Sequence, residues 1–147
     1  MRGSLSIVIG LLLASTALAA DAPPTGTFEG TGFWRAADGS SGAYATRITI
    51  SESRIVTEVE YEHQGARTER HVMALRSTGP GFYELLNEEN EAVGQLFCLD
   101  GECSYGVRQD GGDVHESWRL SGSELQKFGG KSFGDFRVVW KEKLFAR

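Results

Sequence analysis

Turn signals recur along this chain about every ten to twelve residues, and the segments between them alternate in polarity. They are Asp38-Gly39-Ser40-Ser41-Gly42, Ser51-Glu52-Ser53, Gln64-Gly65-Ala66, Thr78-Gly79-Pro80-Gly81 and Asn87 to Glu91. Asp100-Gly101, Asp110-Gly111-Gly112, Gly122 and Gly129-Gly130 continue the series. Such spacing, with β-branched and aromatic residues between the turns, is the mark of a β-sandwich or barrel. No segment after residue 20 keeps a helical period. Loops this short join sequential antiparallel neighbours. The expected fold is therefore all-β, an up-and-down meander of about nine or ten strands. Closing it into a small barrel removes both exposed edges.

Individual hairpins can be registered. Pairing around Glu52-Ser53 sets Ile50 across from Ile55, Ile48 from Thr57, Thr46 from Val59 and Tyr44 from Tyr61, with Arg47 opposite Glu58 on the other face. A three-residue loop at Gln64-Gly65-Ala66 then sets Ile55 across from Leu75, Thr57 from Met73 and Val59 from His71, with Glu60 meeting Arg70. Both registers yield one apolar and one charged face, which a one-residue slip would destroy. Val114, Glu116, Trp118 and Leu120 share a face, as do Phe136, Val138, Trp140, Glu142 and Leu144. The final strand is expected to end four or five residues before Arg147.

The two cysteines of the chain, Cys98 and Cys103, flank Asp100-Gly101. Asp-Gly is the strongest short hairpin signal, because a type I′ turn needs positive φ at both central residues. Leu99 then exchanges hydrogen bonds with Glu102, and the cysteines fall in the next, closer pair, about 4.5–5.5 Å apart, within disulfide range. Four residues around a turn do not resemble a redox Cys-x-x-Cys at a helix start. Zinc would need two further ligands. The expectation is a structural cross-strand disulfide with Leu96, Tyr105 and Val107 on its face, and no metal site.

Residues 1–20 read as a secretory signal peptide: a short positive start at Arg2, an apolar run from Leu5 to Ala14, and Ala17-Leu18-Ala19 before the cleavage point. The run is short for a bilayer span, and no second one follows. The expected localisation is periplasmic or secreted, where a disulfide persists. Residues 21–26 read as a flexible lead-in and 27–147 as one barrel domain. Without residues 1–20 the chain has 14 Lys and Arg against 20 Asp and Glu, a formal charge of −6. That balance argues against nucleic acid and against an anionic membrane surface.

The residues that bear on function lie on the inward faces. Tyr44, Thr46, Tyr61 and His71 share one such face, and Tyr105 and Trp118 lie on another. In a small barrel they either fill the core or line a ligand cavity. So many hydroxyls in a dry core would need partners, which favours a lined cavity. His71 has two readings, a core histidine bonded to a hydroxyl or a ligand contact. Glu116 and Glu142 sit in register with Trp118 and Trp140, either as a buried acid/base pair or at rims. Gly30-Thr31-Gly32 lacks the rest of a dinucleotide fingerprint and reads as backbone relief at a barrel bend. Glu88-Glu89-Asn90-Glu91 lacks calcium-loop spacing.

Gly32-Phe33-Trp34, on the first strand after residue 26, resembles the Gly-x-Trp of lipocalins and their calycin relatives, and the compact meander is similar to the fatty-acid-binding-protein-like members. The resemblance implies a barrel that binds a small apolar molecule. It also implies that Trp34 packs at one barrel end beneath an arginine of the last strand, for which Arg137 is the candidate by cation–π contact. The chain departs from the family in lacking a second Thr-Asp-Tyr-type motif and a helix after the barrel.

The reading that results is a non-enzymatic exported barrel, without cofactor, that holds a small hydrophobic or aromatic ligand. Tyr44, Thr46, Tyr61, His71, Tyr105 and Trp118 are its contact residues. Two alternatives stand beside it. One is a protein-interaction barrel, such as an inhibitor of an extracytoplasmic hydrolase, working through Asp38 to Gly42 or Asn87 to Glu91. The other is a barrel-mouth enzyme, which requires Glu116 and His71 to converge.

Overall fold

The computed structural model describes residues 21–61 and 67–147. The expected signal peptide over 1–20, His63 and the expected turn at Gln64-Gly65-Ala66 lie outside the described residues. Ten strands follow one another: β1 (Gly26–Ala36), β2 (Ser41–Ile50), β3 (Arg54–Tyr61), β4 (Arg67–Gly79), β5 (Phe82–Leu86), β6 (Ala92–Leu99), β7 (Glu102–Gln109), β8 (Gly112–Ser121), β9 (Glu124–Phe133) and β10 (Phe136–Ala146). Each pairs with its sequence neighbours, all antiparallel, and β10 returns to β1 to close the barrel. Closure leaves no free first or last strand.

The β2–β3 register is the expected one in every pair, Tyr44–Tyr61 to Ile50–Ile55. So is the cysteine hairpin, from Gly94–Val107 through Cys98–Cys103 to Leu99–Glu102. Asp100 and Gly101 both have positive φ, 51° and 80°, as a type I′ turn requires. The disulfide joins Cα atoms 4.1 Å apart.

Three expectations are corrected. The β3–β4 pairs are Ile55–Met73, Thr57–His71 and Val59–Glu69, two residues away from the expected set, and Arg70 faces Glu58. The faces survive because a slip of two preserves the alternation; polarity specifies parity and leaves an even offset open. Gly129 and Gly130 lie inside β9, and the turn falls at Gly134, whose φ is 56°. β10 runs to Ala146, held by the Phe28–Ala146 pair and by the Arg147 amide donating to Thr27 O.

Inward-facing residues divide the barrel. Phe28, Ile48, Ile50, Ile55, Leu75, Leu125 and Leu144 fill the half toward the β2–β3, β4–β5 and β8–β9 turns. Fully burying each such side chain contributes about 1.5–3 kcal/mol. Pro23, just before β1, is also buried. At the opposite end, inward-facing Trp34, Tyr61, Glu69, His71, Gln109, Lys131 and Trp140 are only half-buried, although Ala36, Val107 and Val114 at that end are buried. Part of the reason is β5, which is five residues long and pairs with β4 only from Ala74 onward. The Arg67–Met73 stretch of β4 therefore has a ladder partner on β3 alone, and the wall is notched there.

Candidate functional site

Two adjacent inward rungs meet between the apolar half and the open end. One runs Tyr61, Tyr44, Gly32, Glu142, Lys127, Trp118, Cys103, Cys98 across consecutive strands. The next runs Trp34, Trp140, Gly129, Glu116, Tyr105, Leu96. The glycines create the space. A Cβ on Gly32 would lie 2.2 Å from Cζ of Tyr44, and one on Gly129 would lie 2.8 Å from the Trp140 indole. Without those side chains, the Tyr44 ring crosses β1 and the Trp140 indole crosses β9. Gly32 is thus a packing requirement more than relief at a bend.

The charged groups of these rungs form one cluster. Lys127 Nζ lies 3.0 Å from Glu116 Oε1 and 2.6 Å from Glu142 Oε2. The three residues are 4%, 4% and 7% exposed, so this is an ion triad removed from water. Trp118 Nε1 donates to Glu116 Oε1 at 2.5 Å, and Trp140 Nε1 donates to Glu116 Oε2 at 2.7 Å. The Tyr44 hydroxyl donates to Glu142 Oε1 at 2.8 Å. Burial works against the charge on Lys127, but the two carboxylates outweigh it and hold the ammonium well above the ordinary lysine range. Burial first, and then the negative charge of Glu142, pushes the Tyr44 phenol far above its ordinary value. Tyr105, directly across from Glu116, is raised by burial and by that carboxylate.

The cluster connects to the open end on two sides. Tyr61 stacks obliquely on Tyr44 with ring centroids 5.7 Å apart, and half-buried Trp140 sits on Glu116. At the notch, His71 Nδ1 and Gln109 Nε2 are 2.5 Å apart, bridging β4 to β7. His71 Nε2 lies 3.5 Å from Glu69.

All six residues expected to contact a ligand face inward. Tyr44, Thr46 and Trp118 are buried, whereas Tyr61, His71 and Tyr105 are half-buried. Tyr44, Tyr105 and Trp118 belong to the cluster, and Thr46 adjoins it, two residues from Tyr44 on the same strand. His71 stands apart at the notch, opposite Thr57 instead of Val59. Its polar contacts are Gln109 and Glu69, while those of Glu116 are Trp118, Trp140 and Lys127. The convergence required for a Glu116–His71 mechanism is not present. Glu116 and Glu142 are not at rims; a lysine bridges them.

Arg137 is corrected as well. It has outward parity on β10 and donates to the carbonyls of Gly134 and Phe136, so it does not cover Trp34. The cation–π contact within the barrel is Lys127 over Trp118, at 5.9 Å. Sequence reading missed Lys127, although the signal was there. Pairing β8 with β9 about Gly122 places Lys127 opposite Trp118, between inward Leu125 and Gly129.

No family model matches the chain, and no curated protein matches it in sequence. Among solved structures it is similar to the S-type phycobiliprotein lyase CPES from Guillardia theta. The TM-score is 0.69 at 10% identity, covering 84% of this chain and 88% of that one. At that identity the likeness is one of fold. A closed ten-strand antiparallel barrel agrees with the calycin-like architecture implied by Gly32-Phe33-Trp34.

Proposed function

We propose that this chain is an exported, non-catalytic barrel that takes a small aromatic or apolar molecule through its open end. One observation carries the reading. Inward-facing aromatic and polar residues at that end, Trp34, Tyr61, His71 and Trp140, are half-buried, whereas their counterparts at the other end are sealed in the core. Concave aromatic walls with a few convergent polar groups are what small-molecule sites are built from. The solved neighbour named as a lyase lends a related barrel and, at its low identity, no substrate.

The test is native mass spectrometry of the protein purified from its own exported compartment, with tryptophan fluorescence followed as any bound molecule is extracted. A retained small-molecule mass whose removal changes the Trp34 and Trp140 emission supports the reading. A bare polypeptide mass, with emission unchanged by added aromatic compounds, refutes it.

A second reading, a protein-interaction barrel, draws on the outer wall. Phe33, Phe128, Phe97 and Phe82 lie on one outward rung and are 40–63% exposed. Ser117 and Ser104 lie between Phe128 and Phe97 and leave a shallow trough. The aromatic surface is thus on the wall instead of on the Asp38–Gly42 or Asn87–Glu91 loops. Phe97→Ser and Phe128→Ser should abolish co-purification of any protein partner while leaving small-molecule retention intact.

A further inference from the structure

We propose that the molecule taken by the barrel is a cation, an amine or amidine on an aromatic or apolar frame, with its charged nitrogen against Glu142 and Thr46. The inference rests on the reading of the open end as a ligand site and adds the chemical class.

Charge is the first argument. Glu116, Lys127 and Glu142 are the charged residues buried among the described ones, and two carboxylates against one ammonium make a formal charge of −1. A net charge held away from water is costly unless something of opposite sign meets it. A monocation brings the cluster to neutrality, whereas an anion would add to the repulsion.

The second argument is where the spare acceptors lie. Glu116 is met by Lys127 and two indole N–H groups. Glu142 has the Tyr44 hydroxyl on Oε1, and its Oε2 has the Lys127 charge nearby but no aligned hydrogen bond. Thr46 Oγ1, on the same inward face as Tyr44, is buried with no partner at all. Buried polar atoms are nearly always hydrogen-bonded, and one left without a partner calls for an explanation. Thr46 and Tyr44 pair with Gly30 and Gly32 of β1, and Gly32 pairs in turn with Glu142 of β10, so the two acceptors stand on adjacent inward rungs. An N–H-rich cation at that position supplies donors to both atoms.

Third, the faces available beside these acceptors are aromatic. Tyr44 and Tyr61, stacked on each other, and Trp140 lie between the cluster and the open end, and aromatic rings attract cations. Carboxylate, unpartnered hydroxyl and aromatic face together favour an organic ammonium over a neutral hydrocarbon.

The test uses three ligands of one shape and different charge: naphthylmethylamine, naphthalenemethanol and naphthoate. They are titrated into the full exported protein and followed by the indole Nε1–H resonances of Trp34, Trp118 and Trp140. The amine should bind roughly tenfold or more tighter than the alcohol, as a charge-assisted hydrogen bond to a buried carboxylate implies. Naphthoate should bind weakest. Glu142→Gln should erase the preference for the amine. Thr46→Val, nearly isosteric, should weaken the amine roughly threefold to tenfold while the free protein becomes no less stable. That combination keeps the test decisive even where Glu142→Gln fails to fold. Alcohol or naphthoate binding as tightly as the amine overturns the cation proposal and leaves the ligand-binding reading standing. Indole resonances that move with none of the three overturn both.

Discussion

Lys127→Met isolates what holds the barrel interior together. Methionine approximates the volume and linear shape of the lysine stem, so packing changes little and the loss is the ammonium itself. That ammonium lies 3.0 Å and 2.6 Å from two carboxylates, and its side chain is 3% exposed. In the variant, Glu116 keeps two indole donors and Glu142 one phenol, all neutral. Removing one member of a buried ion pair costs about 3–5 kcal/mol, because the remaining charge is left in a medium that cannot solvate it. For a domain of about this size each kcal/mol lowers Tm by roughly 3–5 °C, hence by roughly 10–25 °C in all. Urea unfolding should show the same loss as a lower midpoint at unchanged m. Arg76→Gln is the control. It breaks a half-exposed pair with Glu84 at 2.5 Å, worth a few tenths to about 1 kcal/mol. The triple variant Glu116→Gln, Lys127→Met, Glu142→Gln should recover much of the lost stability, since it leaves no unpaired charge. A Lys127→Met protein within about 1 kcal/mol of the parent would refute the view that these three groups form one desolvated ionic unit.

Three further outcomes follow from the same geometry. Replacing Cys98 and Cys103 by serine should cost about 2 kcal/mol in the chain-entropy account of so short a loop, with the barrel still folded by circular dichroism. Gly32→Ala sets a Cβ 2.2 Å from the Tyr44 ring and should cost about 1–3 kcal/mol through overpacking. A Tyr44→Leu background should relieve most of that penalty in thermal melts. Lys127, Tyr44 and Tyr105 all have folded-state pKa values raised above their ordinary ones. Their stabilisation is complete at neutral pH and falls as pH rises above about 10, where the unfolded chain releases protons that the folded one keeps. Absorbance of the Tyr44 and Tyr105 tyrosinates should therefore appear only together with loss of the β-sheet signal during alkaline titration.

The parts of this molecule that could be read from its residues are those set by parity. Alternation along Tyr44, Thr46, Ile48 and Ile50 assigns a face, and Asp100-Gly101 fixes a turn by its φ requirement, so the faces and the cysteine hairpin follow directly. Alternation cannot separate registers two residues apart, which is why β3–β4 was displaced while every inward residue stayed inward. The Gly129-Gly130 pair was misleading for a related reason. Glycine marks a turn by positive φ, but it also marks the place where another side chain needs room, and here that side chain is Trp140. Arg137 was expected over Trp34 by analogy with a family in place of its own parity, and parity decided its position.

The candidate site was legible strand by strand as a set of side chains, but its charge balance is legible only when the registers of neighbouring strands are combined. Each of Glu116 and Glu142, taken with its own strand, suggested a carboxylate pair or two rims. Pairing the consecutive strands β8, β9 and β10 is what sets Lys127 between them. Without that lysine the two carboxylates would resemble acid/base machinery; with it they form a nearly self-compensated polar floor that retains one formal negative charge. The apolar half, closed by Ile48, Ile55, Leu125 and Leu144 with no measurable exposure beyond 1%, supplies the stability that makes such a floor tolerable. Function is therefore to be sought where the sequence departs from core composition. An interior held together by hydrophobic burial alone would have no use for a buried hydroxyl without a partner, for a carboxylate pair sharing one ammonium, or for glycines that let a tyrosine and a tryptophan reach across their strands.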